Sequence, residues 1–227
     1  MRRTTRFFLL VCCLAFCCDE RLCGQGTFQN LDFEEAMVVP ISGDGIEPGP
    51  AFPGWTVYYG ETSATYVLFN TLTGNGISTI SLVTTNSPSS AFPLAGLYTA
   101  VLQSSTSPND YDVSLAQTGM IPVGTSSLQF IGLDGPHPFA VKVNGQLLDL
   151  IILQDFGTIK EYGADISSFA GYTVELRFTQ PHGITQWGNL ALDDISFSPI
   201  GIPEPSTCAL LILGGALFWS ATRRRRK

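Results

Sequence analysis

The side chains with the clearest chemical potential in this 227-residue chain are aromatics and acids rather than nucleophiles. Trp55, Val57 and Tyr59 alternate onto one face of an extended stretch, which sends Tyr58 to the other face. Tyr111 and Trp187 stand in polar, loop-forming contexts, NDYD and TQWGN. Flat rings held at a surface stack against the C–H faces of sugars, so Tyr58, Tyr111 and Trp187 are the candidate ligand-binding residues. Their other reading is as caps on the corners of a hydrophobic core, because large aromatics are mostly buried.

The catalytic inventory is thin. His137 lies between two prolines and His182 between Pro181 and Gly183, 45 positions apart, without the i,i+4 helical spacing of a metalloprotease. Both read as turn histidines without partners. No Gly-x-Ser-x-Gly elbow, phosphate loop or dinucleotide fingerprint occurs. Asp110 and Asp112 have the spacing to share a cation but lack the rest of an EF-hand loop, and they read as a solvated turn. The remaining acids could supply a glycosidase pair, yet nothing selects two of them at a defined separation. The expectation is a protein that is not an enzyme.

Charge and cysteine are distributed unevenly. Of 12 Lys and Arg, four precede residue 25 and five follow residue 222, leaving Lys142, Lys160 and Arg177 between them. Against these three stand 16 acids in residues 25–202, a formal charge of −13. Such a surface repels phosphate backbones, so nucleic acid is excluded as a partner. Five cysteines lie within the first 23 residues and the sixth is Cys208, so the body has no disulfide framework, thiolate metal site or cysteine nucleophile.

Both ends read as addresses. Arg2, Arg3 and Arg6 precede the apolar run 7–18 and then Asp19-Glu20-Arg21, the layout of a secretory signal peptide over residues 1–24, with cleavage expected after Gly24. At the other end Pro203-Glu204-Pro205-Ser206-Thr207 leads into the apolar segment 208–221 and a basic tail at 223–227. As a helix that segment reaches only ~21 Å against a hydrocarbon core of ~30 Å, so membrane thinning and snorkelling arginines must help it span. The arginines are expected to fix that end in the cytoplasm and to place residues 25–202, the ectodomain, on the far side of the membrane.

The tripartite tail over 203–227 resembles the PEP-CTERM sorting signal of Gram-negative bacteria, with Pro203, Glu204 and Pro205 as the sorting motif. The resemblance implies recognition by exosortase, an integral-membrane processing enzyme, transient anchoring by the C-terminal helix, and release to the cell surface or extracellular matrix. Proteins of that class accompany exopolysaccharide.

Between the ends, apolar residues alternate with polar ones. Val174, Leu176 and Phe178 face one way while Thr173, Glu175, Arg177 and Thr179 face the other, as a half-buried antiparallel strand requires. Phe139, Val141 and Val143 repeat the pattern, Asn144-Gly145 supplies a tight hairpin, and 146–153 is the expected partner strand. Further strands are expected at 29–34, 55–59, 65–70, 77–84, 98–103, 113–117, 128–133 and 190–198. Residues 36–54, rich in proline and glycine, read as a long loop, and 159–169 is the one stretch able to hold a helical turn. About ten short strands separated by turn residues predict an all-β jelly-roll sandwich.

The ends of this body also resemble the galactose-binding-like jelly rolls found among carbohydrate-binding modules. The matching residues are Asn30-Leu31-Asp32-Phe33-Glu34, Pro53-Gly54-Trp55 and Leu192-Asp193-Asp194-Ile195-Ser196-Phe197. The resemblance implies that the first and last strands lie together and hold a structural calcium, with Glu34 and Asp193 or Asp194 as ligands. Two carboxylates fall short of the six to eight oxygens calcium takes, so carbonyls or water would complete the shell. The competing reading is surface acids at strand ends. The expectation drawn from all of this is a secreted, non-catalytic surface or matrix protein that binds extracellular polysaccharide. A structural or adhesive protein-binding component is the alternative, and a glycan-active hydrolase the third.

Overall fold

The computed structural model describes residues 27–72, 77–87, 94–107, 110–134, 138–183 and 188–202, the side chain of Asp134 excepted. The signal peptide at 1–24, Trp187, His137, the Pro203, Glu204 and Pro205 motif and the membrane segment at 208–221 lie outside the described residues. Among the described residues no helix is long and apolar enough to cross a membrane.

Fifteen strands among the described residues form two sheets. From edge to edge the nine-stranded sheet runs β1 (Pro40–Ser42), β2 (Gly45–Ile46), β5 (Val67–Phe69), β6 (Thr79–Thr84), β7 (Tyr98–Ser104), β15 (Gly188–Ser198), β9 (Ser127–Asp134), β13 (Lys160–Asp165) and β12 (Ile151–Asp155). The six-stranded sheet runs β11 (Gln146–Leu147), β10 (Ala140–Val143), β14 (Thr173–Gln180), β8 (Val113–Met120), β3 (Thr56–Tyr59) and β4 (Thr62–Ser63). Every pairing is antiparallel except that of β5 with β6. The chain passes from one sheet to the other between β7, β8, β9 and β10, and again between β13, β14 and β15, as in a jelly roll.

The two inner faces close on one apolar core. Val174, Leu176 and Phe178 of β14 are buried, as are Val141 and Val143 of β10 and Val57 of β3, so the alternation seen in the sequence faces inward as expected. Aromatic rings run through the middle: Trp55 lies 5.9 Å from Phe33 and 6.2 Å from Phe178, and Phe178 meets Phe130 edge-on at 5.2 Å. Such contacts are worth about 0.5–1.5 kcal/mol each beyond area burial.

Three expectations are corrected. Residues 29–34 are turns rather than a strand. Leu31 and Phe33 are both buried, which mimics strand alternation, but Asn30 and Phe33 hold φ of 49° and 59°. The Asn30 side-chain oxygen accepts from the Glu35 N–H at 3.0 Å, and its carbonyl accepts from the Trp55 indole at 3.0 Å, tying the turn to the core. The expected partner strand at 146–153 divides between sheets. Asn144 and Gly145 (φ 48° and 78°) close the hairpin, Leu148 turns into the core, and the chain crosses to become β12. Residues 36–54, expected as a loop, contain β1, β2 and the one-turn α1 (Pro48–Ala51), whereas the helical turn expected within 159–169 is present as the 3-10 turn at Ser167–Phe169, preceded by β13. These short pieces raise the strand number above the expected ten.

Candidate functional site

The outward residues of the six-stranded sheet form two adjoining rows. Tyr58 on β3 pairs with Ser114 on β8, which pairs with Thr179 on β14. One step along, Thr56 pairs with Ala116, Ala116 with Arg177, and Arg177 with Lys142 on β10. The antiparallel register therefore gathers a tyrosine, two hydroxyls and two of the three basic residues of the body on one surface.

Geometry within the rows is specific. The Arg177 guanidinium lies over the Tyr58 ring, its central carbon 4.5 Å from the centroid. Glu175, two residues away on the same face, accepts from Arg177 Nε at 2.9 Å and Nη2 at 3.1 Å. That pairing raises the Arg177 pKa and keeps the guanidinium plane fixed. Ser114 and Thr179 share a hydrogen bond at 2.9 Å. Lys142 is exposed and carries no ion pair among the described residues.

The β3–β4 turn and the segment before β8 raise one wall. Tyr111 stacks on Tyr59 at 5.5 Å and 29°, which leaves it half-buried at the rim, and burial raises its pKa. Asp112 accepts through Oδ1 from both the backbone N–H (2.9 Å) and ring Nδ1 (2.8 Å) of His182. Between this wall and the strands lies a cleft of about 230 Å³ whose lining includes Glu61, Tyr111, Asp112, Lys142, Arg177 and His182. It is smaller than the ~300–1,000 Å³ of drug-sized ligand sites, which fits one or two rings rather than a large molecule. Cationic donors, carboxylate acceptors and hydroxyls of both characters face it, the mixture that a polyhydroxylated ligand satisfies.

The carboxylates singled out for calcium go to other places. Glu34 Oε1 accepts from the N–H groups of Leu97 (2.7 Å) and Tyr98 (3.0 Å). Asp193 is fully buried, its Oδ2 accepting from Thr99 Oγ1 (2.5 Å) and the Ala95 N–H (3.1 Å). Both carboxylates thus fasten segment 94–99, which leads into β7, and at Gly96 (φ 53°) a Cβ would displace the Glu34 carboxylate. Burial pushes the Asp193 carboxyl up to about 7 despite these donors. Asp194 lies on the surface at a bulge in β15 and does not share that segment. Among the described residues no group of three or more His, Cys, Asp or Glu side chains is assembled.

No protein-family model and no curated protein matches the chain. Solved structures of similar outline include an apo cyclase from Fischerella sp., 15% identical over 78% of this chain and 97% of that one, TM-score 0.44. The K2 cleaved adhesin domain of Lys-gingipain is 11% identical over 74% and 95%, TM-score 0.40. TmCBM61 in complex with β-1,4-galactotriose is 12% identical over 77% and 98%, TM-score 0.33. The sandwich assignment rests on the strand pairing, and these likenesses assign no activity to this chain.

Of the sequence-selected aromatics, Tyr111 lines the cleft and Tyr58 lies beside it, under the Arg177 guanidinium. The sequence reading missed its polar members. His182 has a partner after all, 70 positions away in Asp112, a pairing no local motif announces. Arg177 and Lys142 were readable as outward residues of two strands, but not as neighbours. Asp110, expected in a solvated turn, instead accepts from the Ser78 N–H (2.7 Å), the Ser105 hydroxyl and the Tyr111 N–H (2.9 Å). Burial opposes ionisation there, yet these donors carry the Asp110 pKa below its usual value, and the carboxylate braces the segment bearing Tyr111.

Proposed function

We propose that this chain is a secreted, non-catalytic surface or extracellular-matrix protein whose sandwich binds extracellular polysaccharide on the outer face of the six-stranded sheet. The observation that carries the reading is the Tyr58–Arg177 plane beside a cleft furnished with both hydrogen-bond donors and acceptors. A sugar ring needs a flat partner for its C–H face and mixed polar partners for its hydroxyls, and the sheet and its bordering turns carry both kinds of group. The formal charge of −13 over residues 25–202 favours a neutral polymer over a polyanion.

Export by the N-terminal signal, anchoring in the inner membrane and processing by an exosortase-type enzyme at Pro203, Glu204 and Pro205 belong to the same proposal, supported by the order of motifs in the sequence. Changing all three to alanine should trap a larger, membrane-held form. An unchanged mature size would remove this part.

A structural calcium on Glu34 and Asp193 is proposed with it, on the ground that both carboxylates converge on loop 94–99. Carbonyls and water would supply most of the shell. EDTA should then lower the melting temperature, and an unaltered melting curve would remove the ion from the account.

The binding claim is tested by electrophoresis of the purified protein through gels containing neutral or acidic polysaccharides. Retardation by a neutral polymer, reduced at least about tenfold by Tyr58→Ala, is expected, since a stacked plane and its dependent hydrogen bonds are worth above 1 kcal/mol. Absence of retardation on every polymer would leave the structural or adhesive alternative.

A further inference from the structure

Leu192 and Ile195 of β15 both face the core although they are three positions apart rather than two. The sheet accommodates the odd residue through a bulge between Asp193 and Ser196, opposite Ile131 and Gln129 of β9. The extra residue is Asp194, held at φ 48°, a conformation uncommon outside glycine. The bulge allows Asp193 to pass under loop 94–99 while its neighbour reaches the surface.

Asp194 does not face open solvent alone. It lines a cleft of about 150 Å³ on the outer face of the nine-stranded sheet, together with Gln129, Phe156, Glu161 and Ser196. Phe156 is 59% exposed, standing at the turn from β12 to β13, where its N–H donates to the Ile159 carbonyl at 2.9 Å. An aromatic ring left in water beside an amide, a hydroxyl and two carboxylates shares the ring, hydroxyl and acceptors of the first cleft, without its cations, and draws them from entirely different strands. Among the described residues no basic side chain lines it, so a polyanion is disfavoured and a neutral hydroxyl-bearing ring suits it.

We propose that this bulge cleft is a second carbohydrate-binding site and that, because it lies on the opposite outer face from the first, one monomer bridges two polysaccharide chains. The inference rests on the functional reading above. Two sheets packed face to face direct their outer surfaces away from each other. A single polymer strand cannot easily reach both, and cross-linking is the consequence of two modest sites so arranged.

The test uses beads coated with galactan, glucan or mannan, mixed with the purified protein after light scattering has established its oligomeric state. A monomer that agglutinates the beads, and whose Phe156→Ala and Glu161→Gln variants stay bound to them but require at least about tenfold more protein to agglutinate them, supports bridging. Two variants at exposed or half-exposed positions guard against a folding defect in one. Agglutination by the variants at the parent concentration overturns the second site, as does retention of the parent on beads without agglutination. Failure of the parent to bind any coated bead overturns the functional reading itself, and the bridging with it.

Discussion

On the six-stranded sheet the residues of β14 alternate between core and surface from Thr173 to Gln180, whereas β6 and β7 in the nine-stranded sheet are buried on both faces almost end to end. Behind β6, β7 and β15, Val83, Val101 and Ala191 form a second small apolar cluster covered by Leu72, Leu94 and Leu133. Loop 94–99 closes over it, fastened by Glu34 and Asp193. Among the described residues no such loop covers Tyr58, Lys142 and Arg177 on the other sheet. One outer surface thus contributes stability and the other presents its side chains to solvent. The bulge that carries Asp194 marks where the covered surface gives way to an accessible one.

Substitutions that place a charge on matched positions should separate the two faces most sharply. Val101→Asp puts a carboxylate into the covered cluster, where an unpaired charge costs several kcal/mol or more, and soluble expression should be lost. Thr56→Asp, exposed on the open face, should change stability by no more than about 0.5 kcal/mol in urea unfolding. Equal effects would abolish the distinction.

The next effect in size is a pH dependence confined to the covered face. With EDTA present and no ion bound, Asp193 holds its proton up to about pH 7 in the folded protein, while the unfolded chain releases it near 4. The native state therefore binds the extra proton between those values, so this group makes stability fall as pH rises from about 4 to about 7, by up to a few kcal/mol. Unfolding measured at pH 4.5 and at pH 8 should show that slope, and Asp193→Asn should flatten it. A slope identical in the two proteins would contradict the burial argument.

The smallest effect belongs to the open face. Lys142→Ala removes an exposed cation at the cleft, unpaired among the described residues, and should weaken polysaccharide retardation by about twofold to tenfold without moving the melting temperature, in keeping with the loss of one hydrogen bond. A drop in melting temperature instead would make Lys142 a structural residue.

These contrasts explain what the sequence made readable. A half-buried strand advertises itself, so β14, β10 and β3 were legible from alternation, and with them the outward position of Tyr58. Strands covered on both faces lose that period. Nothing in Thr79–Thr84 or Tyr98–Ser104 announces which side a loop will cover. The 29–34 turn was misread because burial of Leu31 and Phe33 imitates a strand, while the positive φ values that break it depend on tertiary hydrogen bonds to Glu35 and Trp55. The polar half of the cleft was hidden for a different reason. Asp112 and His182, or Arg177 and Lys142, meet only through strand register, which local spacing does not encode.

The claim that the open face of the six-stranded sheet is the binding surface is tested most directly by backbone amide chemical shifts of isotope-labelled protein titrated with an oligosaccharide from a retarding polymer. Saturable shifts in Thr56–Tyr59, Val113–Met120, Ala140–Val143 and Thr173–Gln180, with Glu61 and His182 at the margin, are the predicted result, beside a separate set around Phe156 and Asp194 where the second cleft is filled. Shifts absent from those strands and confined elsewhere in the molecule would contradict the account.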